Sequence, residues 1–153
     1  MKIAYLILVG TFVLLTACVT DKHSYTQNPQ KIFNAVNTKY PADKNTLVFI
    51  DAPSGFVAPS LANSAVGQDI DNGKVVAIIS SLALKTSTVI TAGEDETLTA
   101  TTLAKALSMG KDKINGSKAI VIDAKGAQNK TNQKTLADLA TASGVSLGFI
   151  AVE

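Results

Sequence analysis

The chain has 153 residues, 46% of them hydrophobic and 17% charged, with one cysteine, one histidine and no tryptophan. All 14 of its basic residues are lysine, set against 12 acids, for a net charge of +2. The near-neutral balance and the missing guanidinium fork argue against nucleic acid as a partner, and a single cysteine excludes an internal disulfide or a zinc–thiolate cluster.

In chain order, Lys2 precedes an almost wholly apolar run, "IAYLILVGTFVLLTA", from Ile3 to Ala17. A bilayer-spanning helix needs about 20 such residues. A positive start, a short apolar segment and a small residue at the cut are instead the marks of a secretory signal peptide over residues 1–17. Cys18 follows directly. Leu15-Thr16-Ala17-Cys18 resembles the lipobox of bacterial lipoprotein precursors, with Thr16 where the family prefers Ala or Ser. The resemblance covers only these first residues. It implies cleavage between Ala17 and Cys18, a diacylglyceryl group on the Cys18 thiol, acyl chains such as palmitate, and anchoring in a membrane. Two or more chains make such anchoring stable. The family's sorting rule retains proteins with Asp after the lipidated Cys in the inner membrane. Val19 stands here, so the resemblance implies the outer membrane of a Gram-negative cell envelope, facing the periplasm.

Residues 18–28, "CVTDKHSYTQN", are polar and without periodicity, which reads as a tether. His23 lies in it and has no neighbouring partner for catalysis or metal binding. A single α/β domain is expected over 29–153. Pro29 suits the first turn of a helix carrying Ile32, Phe33, Val36 and Tyr40, and Pro41 stops it. "TLVFID" (46–51) reads as a buried strand. Residues 60–84 read as helix in two pieces broken at Asp71-Asn72-Gly73, although "VVAII" within them also fits a strand. "STVITA" (87–92), "KAIVID" (118–123) and "LGFIAV" (147–152) read as strands. Between them the spacing predicts a helix from near Thr97 to Gly110 and another between Asn132 and Ser143, with Gly144 at a left-handed cap.

Apolar strands alternating with helices predict a small doubly wound, mostly parallel four-stranded sheet, Rossmann-like or flavodoxin-like. The expected strand order is 2-1-3-4. Ligands in such sheets sit outside the carboxyl ends of the strands, which places the candidate loops at 51–59, 93–97 and 123–131. Ser54, Gly55, Glu94, Asp95 and Lys125 are the candidate ligand-binding residues there. Asp51 and Asp123 end strands, and as neighbours across the switch point they would be weak catalytic candidates, as general base or Mg²⁺ ligands. Ordinary turn and helix-dipole chemistry also explains every one of these acids. No phosphate-binding glycine motif occurs, and no cofactor or metal is implied.

Three functions follow in order. The first is a non-catalytic docking or accessory module held by its lipid beside an envelope protein partner, more consistent with these residues than an enzyme. The second is a periplasmic small-ligand-binding domain. The third is a metal-assisted hydrolase using Asp51 and Asp123. Phe56 and Val57 in "GFVAP" would serve an interface if exposed.

Overall fold

The computed structural model describes residues 29–41, 44–52, 71–123 and 130–151. In chain order the elements are α1 (Pro29–Lys39), β1 (Asn45–Ile50), α2 (Asn72–Leu84), β2 (Thr88–Gly93), α3 (Glu96–Ile114), β3 (Lys118–Asp123), α4 (Lys130–Ala142) and β4 (Ser146–Ala151). All three strand pairings are parallel. The result is an α/β fold with a four-stranded, all-parallel sheet interleaved with helices, in a Rossmann- or flavodoxin-like arrangement.

The strand order corrects the expectation of 2-1-3-4: it is β1-β2-β3-β4. Apolar runs identify strands but carry no information on which strand lies beside which. Crossovers between parallel strands are nearly always right-handed, so three steps in one direction stack α2, α3 and α4 on one face. The side chains agree. Val48, Ile50, Val89, Ala119 and Val121 pack with Val75, Ile78, Leu82, Leu103, Leu107 and Leu136. The alternate residues Ile90, Ala92, Ile120, Ile122 and Ile150 face α1 through Ile32 and Val36. Both faces of the sheet are therefore apolar and covered, which is why β2 is buried along its whole length. Each fully buried Ile or Leu contributes about 1.5–3 kcal/mol.

Local chemistry sets the helix ends. Pro29 opens α1, and Pro41 lies two residues past its end. Asp71 is the N-cap of α2, its carboxylate accepting from Gly73 N at 2.7 Å. The expected break at 71–73 is thus the helix start, and the preceding piece, 60–70, lies outside the described residues. "VVAII" is helical. Val75, Ile78 and Leu82 are buried at helical spacing while Val76 is 57% exposed, a pattern that period-two alternation cannot produce.

The α3 helix runs four residues past the expected stop at Gly110. That glycine is a contact point inside the helix. A Cβ on it would stand 3.1 Å from Ile79 Cγ1 of α2, so its small size lets the two helices approach. The true stop is Asn115-Gly116, with Gly116 at φ 83°. Gly144 after α4 has φ 68°, as its cap position requires. The two left-handed glycines are tied together, Gly116 N donating to Gly144 O at 2.8 Å. Among the described residues no helix is long and apolar enough to cross a membrane.

Candidate functional site

At the carboxyl end of the sheet, β1 and β2 finish side by side, Ile50 opposite Gly93. Gly93 allows an unusually close approach. A Cβ there would lie 2.6 Å from Ile50 O and against Thr99 Oγ1. The next residue of each strand closes the junction. Glu94 N donates to Ile50 O at 3.0 Å, and Ala52 N donates to Glu94 Oε2 at 3.2 Å. The Glu94 carboxylate therefore holds the chain as it leaves β1.

Asp95 is the N-cap of α3. Its Oδ1 accepts from Leu98 N at 2.7 Å, and its carbonyl accepts from Thr99 N at 2.9 Å and from the Thr99 hydroxyl at 2.7 Å. Such a cap is worth about 1 kcal/mol. Glu96 follows in the first turn, where the helix dipole favours a carboxylate. With Asn132, Gln133 and Leu136 it borders a gap of about 10 Å³, room for about one water.

Asp51 lies just past β1 with its side chain 72% exposed and pairs with Lys74 Nζ at 3.2 Å. Lys74 also donates to Phe49 O at 2.7 Å, so it binds α2 to the end of β1. This lysine was not singled out by the sequence reading. The available signal was its place in the first turn of α2, where a cation opposes the dipole and calls for an acid nearby.

Asp123 ends β3, opposite Ala151 of β4. The expectation that Asp51 and Asp123 face each other fails, because β2 runs between β1 and β3. Strands lie about 4.8 Å apart, so the two are separated by about 10 Å across the sheet. A sheet stepping always in one direction has no reversal of order, hence no switch point between β1 and β3. Among the described residues no group of three or more His, Cys, Asp or Glu could hold a metal ion.

Ala17, Cys18, His23, Ser54, Gly55, Phe56, Val57 and Lys125 lie outside the described residues. Of the candidate ligand residues, the structure brings Glu94 and Asp95 together at the β2–α3 junction, where each already binds backbone. No family model, curated protein or solved structure matches the chain.

Proposed function

We propose that the chain is a lipid-anchored envelope protein whose domain serves as a non-catalytic docking or accessory module beside an envelope protein partner. The observation that carries the anchor is Cys18, set directly behind a short apolar segment and a small residue. On this reading the mature protein begins at Cys18 and is held in the outer membrane, facing the periplasm, by two or more acyl chains. The non-catalytic part is supported by how the strand-end acids are engaged. Glu94 holds Ala52 N, Asp95 caps α3, and Asp51 pairs with Lys74. Each has a structural partner, and Asp51 follows β1 while Asp123 ends β3, strands that are not neighbours.

Metabolic labelling tests the anchor. Radiolabelled palmitate is expected in the wild-type protein and not in Cys18→Ala, and equal labelling of both would refute it. Calorimetric titration of Mg²⁺, Ca²⁺ and Mn²⁺ tests the rest. Saturable binding abolished by both Asp51→Asn and Asp123→Asn would replace the docking reading with a metal-dependent activity.

A further inference from the structure

The opposite end of the sheet is built differently. The first residues of the four strands, Asn45, Thr88, Lys118 and Ser146, are register partners in one continuous row. Side chains alternate along a strand, and two residues further on stand Leu47, Ile90, Ile120 and Gly148, with Leu47, Ile90 and Ile120 packed on the α1 side of the sheet. The α1 face is thus apolar through its middle and polar along its amino-terminal edge.

The end of α1 completes a groove over that edge. Gly148 leaves room for the Tyr40 ring: a Cβ there would lie 2.9 Å from both Cζ and the phenolic oxygen. Lys39, Tyr40, Thr88, Lys118 and Ser146 are among the residues that line this open groove of about 290 Å³, with Pro41 and Ala119 beside them. That is at the small end of ligand pockets.

The charge here is one-sided. Lys39, Lys44, Lys85, Lys111, Lys113 and Lys118 are exposed at this end of the domain, against Asp112 among the described acids. Helix dipoles account for Lys39, Lys111 and Lys113 in last turns and for Lys85 at a C-cap. They do not account for Lys44 and Lys118, which precede and open strands. The carboxyl end of α1 contributes about half a negative charge, outweighed by the two full charges of Lys39 and Lys118. Lys39 Nζ donates to Phe149 O at 3.0 Å and lies 5.6 Å from the centre of the Tyr40 ring, and an ammonium group carries three donors in all. At the β1 end of the row, Asn45 Oδ1 is buried with no donor among the described residues.

We propose that this groove binds a small phosphorylated polyol, its phosphate between Lys39 and Lys118 and its hydroxyls on Thr88, Ser146 and Tyr40. Ammonium groups and hydroxyl donors suit a tetrahedral oxyanion, whereas bidentate reading of a planar carboxylate calls for arginine, which the chain lacks. The proposal is independent of the lipid anchor. The shared chemistry, a phosphate beside free hydroxyls, occurs both in soluble polyol phosphates and in a phosphatidylglycerol headgroup.

The test uses the full chain in neutral detergent, titrated with glycerol 1-phosphate, and in neutral-lipid bicelles with and without phosphatidylglycerol. The amide resonances of Lys118 and Gly148 report binding. Saturable shifts are expected in at least one arm, and the arm that shows them identifies the source. Lys118→Gln should weaken binding by about tenfold or more, the loss of one charged hydrogen bond, with an unchanged melting temperature. Lys113→Gln, at the same end but outside the groove, should leave it within about twofold. No saturable shift in either arm, or equal weakening by the two substitutions, would overturn the site.

Discussion

Gly93→Ala places one methyl at the junction of β1, β2 and α3. It would sit 2.6 Å from Ile50 O, 3.1 Å from Ile50 Cβ and in contact with Thr99 Oγ1. The nearest atoms include backbone, which cannot swing aside as a side-chain tip can. Overpacking of this kind costs about 1–3 kcal/mol. The carbonyl displaced is the acceptor for Glu94 N, a hydrogen bond worth about 1 kcal/mol, so the total comes to about 3 kcal/mol. At about 4 °C per kcal/mol for a domain of this size, the melting temperature should fall by roughly 12 °C. Gly110→Ala is the internal comparison. Its methyl meets only side-chain atoms, Ile79 Cγ1 and Ile114 Cγ2 at 3.1 Å, and gains about 1 kcal/mol of helix propensity. It should melt within about 4 °C of wild type. Thermal unfolding followed by circular dichroism reads both. A Gly93→Ala protein melting like wild type, or a Gly110→Ala protein losing as much, would refute the reasoning.

Other substitutions probe the remaining junctions. Asp95→Ala should cost about 1 kcal/mol in urea unfolding, and Asp95→Asn much less, since the amide oxygen still caps α3; equal losses would mean that charge rather than capping matters. Gly116→Ala meets nothing within 4 Å and should lose only the left-handed penalty of about 1–2 kcal/mol. Gly144→Val should lose more, because its Cβ also runs into Asn115 Oδ1; the reverse ranking would show the caps to be misread. Lys134 titrates above the ordinary lysine value of 10.5, chiefly through its hydrogen bond to Asp138 and then through that residue's charge. Because the folded value is raised, the pair's contribution is intact below 10.5 and vanishes as the pH climbs through the raised value. An NMR titration of Lys134 Nζ should show the upward shift and its loss in Asp138→Asn.

The elements were legible because each carries its own local signal. Runs such as "KAIVID" are apolar enough for a two-sided buried strand, and Pro29, Pro41 and Gly144 punctuate their helices by fixed backbone geometry. Gly110 misled because an interior glycine that lets two helices meet has the same local appearance as one that ends a helix. Strand order was not legible, since it follows from pairings such as Asn45 with Thr88, far apart in sequence and unmarked in either segment. The error carried into the site. Asp51 and Asp123 were brought together only by an assumed adjacency. The amino-terminal groove was missed for a related reason: Thr88, Lys118 and Ser146 are unremarkable one at a time and form a row only once the register is known.

The same register has a kinetic side. In a sheet ordered β1-β2-β3-β4, each new strand docks on the one made just before it, and none inserts between strands already paired. A chain emerging amino end first, at roughly 5–20 residues per second, can add each strand and its crossover helix to an existing edge in the order of synthesis. Had β1 been central, its second edge would have stayed open until a later strand arrived, and an unpaired edge is a template for association with other chains. Here β1 keeps its outer edge unpaired throughout, and the other open edge is always that of the newest strand, which up to β3 is paired by the next strand to appear.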